Sequence, residues 1–116
     1  LKPLQFLLGT GFYYPTKNLI ITHAGLNFDI DDPLEDLNAM LWTRKNEVNL
    51  EYLGKQILVH GHTPITLNEI LNQELKGSVN IDGGCIFRNR SGMGHLVALD
   101  VKEGEFIYTE NIDYPA

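Results

Sequence analysis

Apolar positions in this chain fall in short unbroken runs between polar and glycine-containing stretches, and the period of each run predicts an element. Leu19-Ile20-Ile21, within Asn18–His23, and Ile57-Leu58-Val59, within Gln56–His60, show no alternation, which is the pattern of strands buried on both faces. Asp32-Pro33-Leu34-Glu35 carries a helix start, with Asp32 as N-cap, Pro33 at the first helical position and Glu35 at the third. Leu34, Leu37, Met40 and Leu41 then recur at helical spacing and predict a helix over about 33–42, ending near Trp42. Thr66-Leu67-Asn68-Glu69 is a capping box for a second helix, running to about Gln73 or Leu75 before Gly77 stops it.

The flanking regions read differently. A short apolar segment near 4–8 precedes turn signals at Gly9, Gly11 and Pro15. Ser78–Asp82, Gly94–Val101 and Glu105–Glu110 read as strands, the last two joined through Lys102-Glu103-Gly104 as a hairpin. In Gly94–Val101, Leu96, Ala98 and Asp100 point one way while His95, Val97, Leu99 and Val101 point the other, so one face is expected on the core. Strands alternating with helices, then an antiparallel pair, predict an α/β class.

A chain of 116 residues suffices for one domain with a modest core, or part of one. It opens at Leu1-Lys2-Pro3 without an initiator methionine, which reads as a segment of something longer. A net charge of −6, with nine Lys and Arg in no evident run, argues against nucleic acid or an anionic membrane as partner. An anionic substrate then needs a local countercharge. Cys85 is the single cysteine and forms no intrachain disulfide, so an intracellular, cytoplasmic location is expected. No apolar stretch approaches the roughly 20 residues of a membrane span, and no signal-peptide pattern is read.

Both buried runs end in histidine followed by small residues, as Thr22-His23-Ala24-Gly25 and His60-Gly61-His62-Thr63-Pro64. Neutral imidazole is the commonest protein metal ligand, and strand-end loops of α/β sheets are where such sites sit. Two strand-end histidines can converge on one site, with the glycines beside them letting a ligand approach the backbone. Two nitrogens do not fill a coordination sphere, and a structural role is the competing reading for each histidine. In an extended segment His60 and His62 share a face, so periodicity does not choose between them.

Other polar features carry less. Asp82-Gly83-Gly84-Cys85 follows a strand and reads first as a turn, secondarily as the rim of a site. Arg88 and Arg90 lie in the Phe87–Gly94 loop, either solvated or within reach of a phosphorylated substrate. His95 is expected to pack at a strand start. Asp29, Asp31 and Asp32 lack the later ligands and fixed glycine of a calcium loop, and capping accounts for Asp32.

Taken in order, His23-Ala24-Gly25-Leu26, Leu41-Trp42-Thr43-Arg44, Val59-His60-Gly61-His62-Thr63-Pro64, Asn80-Ile81-Asp82-Gly83-Gly84-Cys85 and Gly94-His95-Leu96-Val97-Ala98-Leu99-Asp100 closely resemble the C-terminal half of calcineurin-like metallophosphoesterases. Within that family the sequence looks most similar to the bacterial serine/threonine protein phosphatase group. The resemblance implies a fold, the C-terminal half of a metallophosphoesterase β-sandwich flanked by helices and ending in an antiparallel hairpin, with residues 1–116 as part of a single domain. It implies that His23 and His62 ligate the same one of two divalent ions (Mn, Fe or Zn), that Arg44 grips the phosphate, and that His60 is a neighbour rather than a ligand. Arginine suits that task, because guanidinium presents a planar, permanently charged fork to phosphate oxygens.

Three family motifs, Asp-x-His, Gly-Asp-x-x-Asp-Arg and Gly-Asn-His-Glu, are not found in these residues. In the family they supply the bridging aspartate, the remaining ligands and the histidine that protonates the leaving group. The resemblance therefore implies a segment of a protein phosphatase that hydrolyses phosphate monoesters of a phosphoprotein or small molecule by metal-hydroxide attack. Alone, the segment is expected to be inactive, to bind metal weakly or not at all, and to self-associate through an exposed sheet face and edge. A dinucleoside polyphosphate hydrolase of the same superfamily and a non-enzymatic binding module are the alternatives.

Overall fold

The computed structural model describes residues 2–113. Helix α1 (Lys2–Leu8) leads to strand β1 (Tyr13–Pro15) and β2 (Leu19–Thr22). Helices α2 (Leu37–Trp42) and α3 (Leu50–Leu53) precede β3 (Ile57–His60), and α4 (Leu67–Leu71) precedes β4 (Ser78–Asn80). The described chain ends in β5 (His95–Asp100) and β6 (Glu105–Glu110). The first four strands form one mixed sheet in the order β1-β2-β3-β4, with β1 antiparallel to β2 and the other neighbours parallel. The last two form a separate antiparallel hairpin. The class is α/β, as the alternation of runs predicts.

Alternation along β2 and β3 sorts their side chains onto two faces. Ile20 and Leu58, paired in register, are buried in one cluster with Leu26, Met40 and Leu53, so α2, α3 and the chain after β2 cover that face. On the other face Val59 and Val79 are paired and buried, but Ile21 beside them stays 39% exposed. The expectation that the Leu19-Ile20-Ile21 run is buried on both faces therefore fails at its last residue, because no described element packs over that part of the sheet.

The expected helix over 33–42 is divided. Asp32 does cap Pro33–Glu35, but as a single 3₁₀ turn. Asp36 then leaves helical geometry, accepting from Ala39 N–H through Oδ1 and from Asn27 Nδ2 through Oδ2, and so becomes the N-cap of α2. A carboxylate that satisfies backbone N–H groups ahead of it competes with helix continuation through it. The Thr66–Glu69 capping box forms as predicted, although α4 ends at Leu71, short of Gln73. Strand β1 and helix α1 lie where only turn signals and a short apolar segment are read, and α3 lies where no element is predicted. Pro15 sits at the end of β1, on the sheet edge, where its missing N–H breaks no ladder.

The hairpin docks through backbone. Gly94 and His95 N–H donate to the Gly83 carbonyl at 3.1 and 3.2 Å, and Val97 is 8% exposed against the same glycine while Leu96 on the opposite face is 62% exposed. A Cβ on Gly83 would lie 2.6 Å from the His95 carbonyl oxygen, so only glycine permits this approach. No described helix is long and apolar enough to cross a membrane.

Candidate metal centre

His23 follows β2, and His62 lies two residues beyond β3, the parallel neighbour of β2, so both stand at the C-terminal edge of the sheet. The Gly61 N–H donates to the His23 carbonyl at 2.8 Å, extending the ladder past the strands and fixing the two histidine loops against each other. His62 then takes φ +72°, the one non-glycine residue in the left-handed region among those described. That turn ends the extended geometry in which His60 and His62 would share a face, and swings the His62 ring toward β2.

The result is a contact of 3.0 Å between His23 Nε2 and His62 Nδ1, with ring centroids 4.9 Å apart. Ligand nitrogens about 2.0–2.1 Å from one ion, at angles between octahedral and tetrahedral, lie about 2.9–3.4 Å from each other. The pair thus fits two positions of one coordination sphere. Partial burial holds His62 below the ordinary imidazole range, helped by the nearby charges of His23 and Arg44 and opposed by Asp82. Neutral imidazole is the form that ligates.

His60 is engaged elsewhere. Its Nδ1–H donates to the Gly61 carbonyl at 3.2 Å, and burial pushes its pKa down while the Gly61 and Ala24 carbonyls push it up. Those carbonyls adjoin His62 and His23, so His60 braces both loops. The two glycines beside the histidines also permit close packing. A Cβ on Gly61 would meet Asp82 Cβ at 3.2 Å, and one on Gly25, at φ +145°, would meet Thr43 Cγ2 at 2.9 Å. Gly25 thereby lets the segment bearing Trp42, Thr43 and Arg44 close on the His23 loop.

Arg44 is exposed and near enough to His62 to disfavour its charge. Trp42 stands edge-on to His62 at 5.8 Å between centroids, which the pattern of the helix does not reveal. Asp82 lines the same cleft of about 290 Å³ as His23, His60 and His62, its Oδ1 accepting from Gly84 N–H at 3.0 Å. Behind it, buried Asn80 donates to the Thr63 carbonyl and accepts from Asp82 N–H, each at 2.8 Å, tying the His62 loop to the end of β4. Thr22 Oγ1, in the cleft wall, and Thr63 Oγ1 are buried without a hydrogen-bond partner. A wider apolar groove, bordered by Phe6, Phe12, Tyr14 and Ile21, opens beside His23.

No described group brings three or more His, Cys, Asp or Glu side chains together in a ligand arrangement. The other sequence candidates make contacts elsewhere. Arg88 donates to the Asp113 carbonyl, and Arg90 stacks 4.0 Å over the Phe87 ring, so both loop arginines are used structurally. Asp29 pairs with Lys45, and His95 packs edge-on to Tyr108 while its Nδ1 is buried without a hydrogen-bond partner. No family profile, curated protein or solved structure matches the chain.

Proposed function

We propose that these residues form the histidine-bearing part of a two-metal phosphoesterase, a serine/threonine protein phosphatase, whose carboxylate ligands come from outside them. The observation that carries this reading is the 3.0 Å convergence of His23 Nε2 and His62 Nδ1 from adjacent parallel strands, with Arg44 close by. His23 and His62 would hold one ion. Divalent ions in such a site supply Lewis-acid polarisation of a phosphoryl oxygen and an acidified water.

The chain's own groups account for the rest of the chemistry on this side. Metal binding requires that the proton shared between the two imidazoles leave, and the lowered pKa of His62 favours its neutral form. Arg44, exposed at the rim, is free to orient a phosphate bidentately and supplies the local countercharge that a chain of net charge −6 otherwise lacks. The Asn80 and His60 hydrogen bonds hold the ligand loop without taking part in the reaction.

A phosphoserine peptide and a dinucleoside polyphosphate, offered with Mn²⁺ to the full-length gene product and to the 116-residue chain, test the reading. Hydrolysis of the phosphopeptide by the full-length product alone is expected, with Arg44→Ala lowering kcat/KM by about 10²-fold or more. Preferential cleavage of the dinucleotide would reassign the substrate, and no hydrolysis of either by the full-length product would overturn the proposal.

A further inference from the structure

At the end of the sheet opposite the histidines, Leu19 and Ile57 begin β2 and β3, and Leu99 and Val101 of the hairpin face them across a cavity of about 410 Å³. Leu75 closes one side, and the cavity is more enclosed than the histidine cleft. Its size lies in the range of small-ligand pockets, about 300–1,000 Å³. Five apolar side chains thus make a slot that hydrocarbon fills favourably.

Two cations stand on this slot, Lys55 from the turn before β3 and Lys102 from the hairpin turn. Neither has a carboxylate within ion-pair distance among the described residues. The Asp100 carboxylate on the same turn is directed instead to the backbone, accepting from Lys102 and Glu103 N–H at 3.0 Å each. In a chain of net charge −6, two ammonium groups without a carboxylate partner among the described residues border one apolar cavity, with Glu103 on the same turn as Lys102. Their flexible stems let the heads converge on an anion while the methylenes lie along the slot.

We propose that this cavity binds a free single-chain amphiphile with an anionic head, an alkyl carboxylate of medium length, its tail against Leu19, Ile57 and Leu99 and its head between Lys55 and Lys102. The proposal is independent of the metal centre, since no lining residue is shared with the histidine cleft.

Titration of the full chain with decanoate below its micelle concentration, followed by amide NMR shifts, tests it. Saturable shifts are expected at Leu19, Ile57, Leu99 and Val101 and not at Phe12, Tyr14 or Ile21. Decyltrimethylammonium, with the same tail and opposite charge, is expected to bind at least about tenfold more weakly, and the exposed double change Lys55→Glu/Lys102→Glu to weaken decanoate by a similar factor. Acetate, which lacks the tail, is expected to produce no saturable shift. Equal binding of the two amphiphiles, shifts centred on Phe12, Tyr14 and Ile21, or no saturable shift with decanoate would each overturn the proposal. The head-group comparison on the unaltered chain does not depend on whether the charge-reversed variant folds.

Discussion

His62 Nδ1 reaches within 3.0 Å of His23 Nε2 only because His62 adopts φ +72° immediately after Gly61 has hydrogen-bonded across to the His23 carbonyl. For a residue with a Cβ, left-handed backbone costs roughly 1–2 kcal/mol. His62→Gly removes that strain and adds unfolded-state entropy of comparable size, so its stability is expected to stay within about 1 kcal/mol of the parent. His62→Val, β-branched at the same φ, is expected to cost about 2 kcal/mol or more. Denaturant midpoints of the two variants check this, and a larger loss for glycine than for valine would show that ring packing, not backbone geometry, governs the position.

Asn80 holds the ligand loop from below. Removing its side chain leaves the Thr63 carbonyl and the Asp82 N–H without their bonds in a site only 8% exposed. Asn80→Ala is therefore expected to destabilise by about 1–3 kcal/mol and to accelerate hydrogen exchange across residues 61–66. Unchanged exchange in that segment would mean that the loop is fixed by the strand ends alone.

Two helix caps contribute to the acid limb of stability. Thr66 N–H and Oγ1–H donate to the Glu69 carboxylate and hold it below its ordinary 4.5, while Asn27 and then the Ala39 N–H hold Asp36 below 3.8. Both folded-state values lie under the unfolded ones, so the unfolded chain takes up protons first. Their contribution is present above about pH 4.5 and is lost as pH falls through the folded values. Glu69→Gln is expected to flatten the decline of Tm below pH 4.5, and a slope identical to the parent would remove Glu69 from the explanation.

Exposed apolar side chains border the groove beside His23, with Phe6 at 73% and Tyr14 at 66% next to the exposed Ile21, and Leu8 at the end of α1 is 78% exposed. Edge strand β1 lies among them. Such surfaces recruit partners. Sedimentation of the chain is expected to show concentration-dependent association that Phe6→Glu/Leu8→Glu reduces, and a strictly monomeric parent would contradict it.

Much of the fold was legible because it rests on periodicity. The unbroken runs at Leu19–Ile21 and Ile57–Val59, the Thr66–Glu69 box and the Lys102–Gly104 turn each carry a local signal strong enough to name an element. The break at Asp36 was not, because it depends on a hydrogen bond from Asn27, and Ile21 looks like any core isoleucine until the missing cover is seen. Within the site, His23, Arg44 and His62 stand out through their motifs. Periodicity alone does not separate His62 from His60, whose different directions follow from the backbone dihedral at His62, and the places of Trp42 and Asn80 rest on contacts between separate strands and loops that a linear pattern does not encode.

Isothermal titration of Zn²⁺ into the 116-residue chain, beside His23→Ala and His62→Ala, tests the paired-ligand site most directly. Complete four-ligand zinc sites bind with about 10–16 kcal/mol, so two of the four ligands support roughly half, a Kd on the order of 1–100 µM. One weakly held ion, lost in both variants, is the expected result. Submicromolar affinity, or affinity that survives either substitution, would contradict a half-site built from His23 and His62.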